Sequence, residues 1–328
     1  MRRAPLPLAL PAAVALAGAL LLTACGTQRT GAQGSGPASP HASATSGESC
    51  GASAAPGGRT TTDAAGPDTS TPGQAAPDGS SGGTATAREG VELVGPAGCP
   101  ILEITNHTAG TATYTVTYFL LSDTGTALTS AQTTVASVEP GRTVRRAVSL
   151  TDAGTLPGDA GKPTKVRIIK VRSVPSAEAP SETGPCPASG VRVYADRGDA
   201  AMGLRVVGLH LVNCGTHTYH LDGYPQLQLF DEEHKPVEGV RILHGGEAIA
   251  LGTGADDTPR PVALRPGEGA HAGLVWRNTT EMGEPVNAPY VRVVAKPGAA
   301  AVTVTPELDL GTTGKLGVGA WQRDDASR

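Results

Sequence analysis

The feature that most constrains how this chain can fold is a long stretch without large apolar side chains. Residues Gly26 to Ala87 contain no Val, Ile, Leu, Met, Phe, Tyr or Trp, and 51 of these 62 residues are Ala, Gly, Ser, Thr or Pro. Such a segment has too little apolar surface to offset the conformational entropy that folding costs. We therefore expect a disordered linker over residues 25–87, with the folded core built from the residues after it.

The segment before the linker has the pattern of a lipoprotein signal. Two arginines follow Met1, an apolar stretch then runs to Leu22, and Leu22-Thr23-Ala24-Cys25 resembles the lipobox of bacterial lipoproteins. The resemblance implies a signal peptide at residues 1–24 and a diacylglyceryl group on Cys25, which would hold the chain on the outer face of the cell membrane. A plain transmembrane anchor is the alternative, but two prolines in the apolar stretch and the placement of the cysteine disfavour it.

Composition narrows the class of the folded part. The formal net charge is only -4, and this mild acidity argues against nucleic acid as a general partner. Aromatic residues make up 3% of the chain, while there are 44 glycines and 27 prolines. Few aromatic residues and many turn formers favour small β-domains over one large enzyme core.

Period-two alternation predicts antiparallel strands after the linker. It is clearest over Thr113–Tyr118, where Tyr114 and Val116 would lie on a buried face and threonines on the opposite one. Further short strands, with turns such as Asp123-Thr124-Gly125 between them, indicate a small β-sandwich over residues 88–174. This stretch resembles the immunoglobulin-like modules of secreted bacterial proteins.

Basic residues gather in the second half of this first domain. Eight Lys or Arg residues lie between Arg142 and Arg172. They could form a patch for anionic wall polymers or lipid headgroups. We favour solvated strand faces that discourage edge pairing, because the net charge of the domain is only about +2.

A second strand-rich segment follows a short linker at residues 175–185. Its predicted strands include Met202–Val212 and Gln226–Phe230, and Val240–Leu243 is predicted to return from a polar hairpin turn at residues 231–236. A short helical turn near Thr279–Met282 is the one departure from strand patterns. About eight or nine strands in some 140 residues fit an immunoglobulin-like sandwich over residues 186–328. The expected fold is therefore all-β, with two sandwiches after a signal peptide and a linker.

Four short motifs in this second segment resemble a known family. They are Val212-Asn213-Cys214-Gly215, Leu221-Asp222-Gly223-Tyr224-Pro225, Leu264-Arg265-Pro266-Gly267 and Val275-Trp276-Arg277-Asn278. Together they are similar to the uncharacterised actinobacterial domain called domain of unknown function 4232, which is typical of secreted proteins and lipoproteins. The resemblance implies a fold and an envelope location, and it supplies no catalytic residue.

Four cysteines remain once Cys25 is set aside for lipidation. An even number in an exported protein suggests two disulfides, and four cysteines allow three pairings. We expect Cys186 to pair with Cys214, because both lie beside predicted strands of one module. Cys50 would then pair with Cys99. A metal site built on these cysteines would be expected to show C-x-x-C spacing, which the sequence lacks.

Histidines offer the one candidate metal site. Six of the eight fall in the second domain, and His217 and His220 lie three residues apart. Imidazole binds copper and zinc, but residues three apart on a strand point to opposite faces, so scattered histidines are the favoured interpretation. The G-x-S-x-G pattern at Gly47–Gly51 needs a strand before it and a helix after it; within the linker we interpret it as a coincidence.

These observations predict an extracytoplasmic, membrane-anchored protein that is not an enzyme and needs no cofactor. The leading hypothesis is a binding or envelope-structural module whose partner is a cell-wall polymer or an envelope protein, and not nucleic acid. The alternative is a copper- or zinc-binding or sensing lipoprotein that uses the histidines of the C-terminal domain. A hydrolase is the least favoured, although fold alone never excludes an activity.

Overall fold

The described part of the chain is built from short β-strands. A computed structural model describes residues 87–96, 98–150 and 162–324. The predicted signal, Cys25, Cys50, the G-x-S-x-G pattern and the predicted linker up to residue 86 lie outside these residues. Among the described residues the only helix is a single 3₁₀ turn at Ser176–Glu178, so the predicted all-β class is confirmed.

The N-terminal region, residues 87–175, contains two antiparallel sheets. Its described residues form the strands β1 Ala87–Arg88, β2 Val91–Val94, β3 Ile101–Thr105, β4 Ala112–Leu121, β5 Ala127–Val138, β6 Thr143–Ala147 and β7 Lys165–Pro175. One sheet has the order β1-β2-β3-β6 and the other β5-β4-β7. Apolar side chains from both sheets form one hydrophobic core.

Alternation along β4 explains how this core is filled. Tyr114, Val116 and Leu120 are buried, as the period-two pattern predicts. The intervening threonines face the other side of the sheet. The predicted turn at Asp123-Thr124-Gly125 connects β4 to β5, where the Gly125 amide donates to the Ser122 carbonyl.

The C-terminal region, residues 186–324, has a larger core and more sheets. Its strands are β8 Val191–Ala195, β9 Asp199–Ala201, β10 Leu204–Asn213, β11 Tyr219–Leu221, β12 Gln226–Phe230, β13 Arg241–His244, β14 Val262–Leu264, β15 Gly269–Arg277, β16 Val286–Ala288, β17 Tyr290–Val294, β18 Ala301–Val304, β19 Leu308–Gly311, β20 Lys315–Val318 and β21 Gln322–Arg323. The main sheet has the order β13-β20-β15-β10-β8, a second has the order β12-β17-β18, and β11-β14 and β16-β19 form pairs. Trp276 and Trp321 are the largest fully buried side chains.

Three sequence-based predictions in this region are wrong. The strand expected from Met202 begins at Leu204, because Met202 and Gly203 take positive φ values of 49° and 81° in a tight turn between β9 and β10. Residues 240–243 do not return along β12; β13 pairs in parallel with β20 of the other sheet. The helical turn expected near Thr279–Met282 is not formed.

A disulfide and a buried amide hold the end of β10. Cys186 and Cys214 form the predicted disulfide, with their Cα atoms 5.6 Å apart. Beside it, the buried Asn213 Nδ2 donates to the carbonyls of His217 and Leu264 at 2.9 and 2.8 Å. The bond to Leu264 is buried and the bond to His217 is partly buried, and one asparagine amide supplies both donors. This gives a physical role to the asparagine of the Val212–Gly215 motif.

Candidate functional site

A polar cleft lies between the N-terminal and C-terminal regions. It consists of two adjoining chambers of about 250 and 510 Å³. One wall is the outer face of β4 and β5, and the opposite wall comes from the end of β8 and the chain after β18. We call this space the inter-region cleft. The side chains of its first wall are hydroxyls and one amide, from Thr113, Thr115, Thr117, Ser130, Gln132 and Thr134.

The strand pattern explains why this wall is hydroxyl-rich. Because side chains alternate along β4, burying Tyr114 and Val116 leaves Thr115 and Thr117 on the cleft side. β5 pairs with β4 in a register that places Thr134 beside Thr115, and Gln132 beside Thr117. The oxygens of the two threonines Thr115 and Thr134 are 3.4 Å apart, and Gln132 donates to Thr117 at 3.4 Å. The wall is therefore a row of neutral groups that can both donate and accept hydrogen bonds.

Arg172 on β7 closes one part of the cleft and joins the two regions. Its guanidinium makes two hydrogen bonds to Glu307, both at 2.7 Å, and two to Glu232, at 2.8 and 3.0 Å. Glu89 lies 3.7 Å away, and Lys170 also contacts Glu307, at 3.2 Å. The Arg172 side chain is only 9% exposed. We call these five residues the Arg172 cluster.

The environment of Arg172 fixes its charge. Burial by itself lowers the pKa of Arg172, but hydrogen bonds and charge from Glu307, together with the charge of Glu232, outweigh it, so the pKa is raised. The guanidinium also lies 5.6 Å from the centroid of the Tyr290 ring. Burial raises the pKa of Tyr290 to about 12. Arg172 is thus a permanent cation and Tyr290 a neutral phenol under ordinary conditions.

Turns with unusual backbone geometry bring the carboxylates to Arg172. Glu89 and Glu307 have positive φ values of 47° and 58°. His234, in the same turn as Glu232, has φ 58° and stacks on Tyr290 with ring centroids 4.2 Å apart. Non-glycine residues rarely adopt this region. Three of the five such residues in the described chain therefore lie at this junction, where backbone strain is typical of sites that need a fixed geometry.

The segment between the regions is also held in place. Glu178, in the 3₁₀ turn, accepts three hydrogen bonds from Arg292 of β17, at 2.6 to 3.0 Å, and one from Thr303 of β18, at 2.9 Å. The hydrogen bond from Arg292 is the main reason that the pKa of Glu178 is lowered. This segment contacts the C-terminal region as an ordered part of the junction.

The second wall of the cleft carries an oriented aromatic pair and a carboxylate. Tyr194 stacks on His210, with ring centroids 5.0 Å apart. Asp196 lies 3.0 Å from His210 Nε2 and accepts hydrogen bonds from the amides of Gly198 and Gly208. Burial raises the pKa of Asp196, but these hydrogen bonds outweigh it and the pKa is lowered. Asp196 thus faces the cleft as a carboxylate.

The predicted metal ligands do not form a metal site in the described residues. His217 lies in the turn before β11 and His220 lies within it, and both are exposed. No group of three or more His, Cys, Asp or Glu side chains in residues 87–96, 98–150 and 162–324 could hold a metal ion. The copper or zinc alternative therefore gains no support.

Another histidine pair illustrates why the C-terminal histidines do not converge. His210 and His271 are directly opposite on β10 and β15. The His210 ring contacts Asp196, which accepts a hydrogen bond from the Gly208 amide two residues before His210. The His271 ring contacts Asp324, whose amide donates to the Gly269 carbonyl two residues before His271. Because the strands are antiparallel, these carboxylates hold the two rings toward opposite ends of the sheet.

The cysteine predictions have different outcomes. The Cys186–Cys214 disulfide is present. Cys99 is disulfide-bonded, but Cys50 lies outside the described residues, so the pairing of Cys50 with Cys99 stays a prediction. Lipidation of Cys25 likewise stays a prediction.

Sequence reasoning missed the Arg172 cluster. Arg172 was expected on a solvated strand face, which is correct for the exposed Arg145 and Arg167 but wrong for Arg172, which is buried. Strict alternation would place Lys165 and Arg167 on one face of β7 and Lys170 and Arg172 on the other, but the irregularity in its pairing with β4 places all four on one face. The sequence could not indicate which carboxylates meet them.

The comparisons with known proteins identify one domain. Residues 186–322 match the family model described as Domain of unknown function (DUF4232). No curated protein and no solved structure matches the chain. The family component of the predicted resemblance is therefore confirmed, and it brings no activity with it. Within the residues that the structure describes, no helix is both long enough and apolar enough to cross a membrane.

Proposed function

We propose that this protein is a lipid-anchored extracytoplasmic binding protein, without enzymatic activity, that binds a neutral polyhydroxylated polymer of the cell wall. The binding site is the inter-region cleft. On this proposal the two regions are immunoglobulin-like sandwiches, and the cleft between them holds a segment of the polymer.

The observation that carries the proposal is the hydroxyl and amide wall of the cleft. Sites for apolar ligands are lined mainly by hydrophobic and aromatic side chains with a few polar groups. Here the pattern is reversed, with six hydroxyl or amide side chains on one wall. Hydroxyl and amide groups can donate hydrogen bonds to sugar hydroxyls and accept hydrogen bonds from them, and neither partner needs to be charged.

The charges of the cleft favour a neutral ligand over a polyanion. Lys170, Arg172 and Arg197 line the cleft, but so do Glu182, Asp196 and Glu307. Arg172 is already bound by two carboxylates. A polyanionic polymer would meet as many negative as positive side chains, so no net attraction is expected.

The location rests on independent features. The Cys186–Cys214 disulfide favours an oxidising compartment outside the cytoplasm. The signal and lipobox pattern at residues 1–25 supports export and anchoring, and the predicted linker would let the folded part reach about 45 Å from the membrane. A binding protein on such a linker could reach into cell-wall polymer.

Calorimetry on the full-length chain in detergent tests the proposal, with purified soluble fragments of neutral wall glycan as the titrant. Thr117→Val with Thr134→Val removes two cleft hydroxyls without changing the side-chain shape. Each lost hydrogen bond weakens binding by about 1 kcal/mol, so we expect at least about a tenfold increase in Kd. Thr133→Val is the matched control, because Thr133 is adjacent on β5 but is not among the cleft-lining residues.

Two results would contradict the proposal. One is the absence of heat or retention with any neutral glycan at millimolar concentration. The other is an equal effect of the double variant and of Thr133→Val, which would mean that the ligand does not lie in the cleft. Binding of an anionic wall polymer with the same sensitivity would keep the cleft and overturn the choice of a neutral ligand.

A further inference from the structure

β5 is a long strand whose outer edge has no strand partner among the described residues. It contains 12 residues and lies at the end of the sheet order β5-β4-β7. Its pairing with β4 is regular over seven consecutive pairs, from Leu120–Thr129 to Tyr114–Val135, and the irregularities lie outside that stretch. The outward N–H and C=O groups of this stretch therefore form a straight, regular edge.

The other long edge of the same sheet is protected, and β5 is not. β7 carries Lys165, Arg167, Lys170 and Arg172, and its pairing with β4 is interrupted by a bulge near Lys170. The edge strand β6 of the second sheet carries Arg145 and Arg146 within five residues. Charged residues and bulges are the usual means by which proteins prevent edge-to-edge pairing.

The regular stretch of β5, Thr129–Val135, has neither a charged residue nor a bulge. The residues of the whole strand, Ala-Leu-Thr-Ser-Ala-Gln-Thr-Thr-Val-Ala-Ser-Val, include no charged residue and no proline. Threonine and valine also favour strands. Other uncharged edge strands of the described chain, such as β12 and β18, have only five and four residues, and short edges are themselves poor templates for pairing. The long neutral edge of β5 therefore indicates a surface that is kept for pairing.

We propose that β5 pairs with β5 of a second copy of this chain, antiparallel and about a two-fold axis, so that the two three-stranded sheets become one six-stranded sheet. A two-fold interface brings the same patch of each copy together. A neutral strand can face its own copy without like-charge contacts, whereas β6 or β7 would place arginines and lysines against their equivalents. Charge therefore favours β5 over β6 and β7, and it makes a second copy a suitable partner.

A register centred on Gln132 satisfies the side-chain pattern. It places Gln132 opposite Gln132 of the other copy, Ser130 opposite Thr134 and Ala131 opposite Thr133. Exposed residues then meet exposed residues, and half-buried residues meet half-buried ones. Side chains on one face stay on that face, so the hydrophobic core of one copy continues into the other, and hydroxyl pairs opposite one another add stability.

Sedimentation equilibrium of the full-length chain in density-matched detergent tests this proposal, without any glycan, so its outcome is independent of the proposed binding function. We expect a protein mass twice that of one chain at micromolar concentration. Gln132→Lys places two lysines opposite one another at the two-fold axis, and Thr134→Lys adds a further positive charge on the same face of each strand, so the dimer should dissociate at least about tenfold more readily. Both positions are exposed, so folding should be retained, and circular dichroism checks this.

Arg167→Gln is the matched control, because it changes the charge at an exposed position on the opposite long edge. It should leave the dimer dissociation constant unchanged. Ser130→Lys, also on the exposed side of β5, is the second variant should the double variant unfold. A single-chain mass up to about 100 µM, or a dimer that neither set of β5 variants weakens, would overturn the proposal.

Discussion

Replacement of Arg172 should reveal how strongly the Arg172 cluster joins the two regions. Arg172→Met keeps the volume of the aliphatic stem and removes four hydrogen bonds to Glu232 and Glu307. Breaking a fully buried ion pair costs about 3–5 kcal/mol, and breaking an exposed one at most about 1 kcal/mol. Arg172 is 9% exposed, but Glu232 and Glu307 are 52% and 32% exposed, so water can solvate the carboxylates that remain. We therefore expect a loss between these limits, about 2–3 kcal/mol.

Arg292→Met is the matched control for this prediction. Arg292 also makes three hydrogen bonds to one carboxylate, but it is 40% exposed and its partner Glu178 is 22% exposed. Its loss should cost about 1 kcal/mol or less. Urea unfolding measures both, with tryptophan fluorescence reporting the C-terminal core and far-UV circular dichroism reporting both regions. Equal losses for the two variants, or no loss for Arg172→Met, would refute the argument that burial decides the magnitude.

Three further predictions address other parts of the molecule. The pKa of Tyr290 is raised from 10.0 to about 12 on folding, so the contribution of its neutral phenol to stability is complete below pH 10 and is lost as the pH rises toward 12. Tyr290→Phe should reduce this loss of stability by up to about 3 kcal/mol, measured by urea unfolding at pH 9 and at pH 12. A loss of stability that is the same in the variant would contradict this prediction. Asn213→Ala leaves the carbonyls of His217 and Leu264 without this donor and should lower the free energy of unfolding by about 1–3 kcal/mol, against little change for Asn287→Ala at an exposed position of β16. Cys25→Ser should abolish labelling by radioactive fatty acid and release the protein from the membrane fraction, and retention of the label would refute the lipidation hypothesis.

The parts of the fold that sequence patterns predict are those that local physics decides. The alternation around Tyr114 and Val116 predicts β4 and its buried face, because a strand has only two faces and only one can face the core. The position of Cys186 and Cys214 beside strands of one module predicts their disulfide, which the structure contains. By contrast, the turn at Met202-Gly203 interrupts a run that is apolar enough to suggest a longer strand, and only the positive φ of both residues shows it.

The junction could not be predicted because its residues are far apart in the chain. Glu307 lies 135 residues from Arg172, and Glu232 lies 60 residues away. From the sequence alone, Glu307 and Glu232 are each expected to be exposed charges in polar turns. Their meeting depends on how the two regions pack, which periodicity within one strand does not specify. The hydroxyl wall of the cleft can be predicted only in part. Alternation along β4 predicts threonines on one face, but it does not predict that the C-terminal region covers that face.

The ion pair between Glu178 and Arg292 bears on where a fragment containing the C-terminal region should begin. The family match begins at residue 186, whereas the carboxylate that neutralises Arg292 and bonds to Thr303 lies eight residues earlier. A fragment that begins at Cys186 would expose an unneutralised arginine and uncover part of β18, whereas one that begins at Ser176 keeps both contacts. A fragment that keeps these contacts therefore begins at Ser176 or earlier, ahead of the point at which sequence similarity begins.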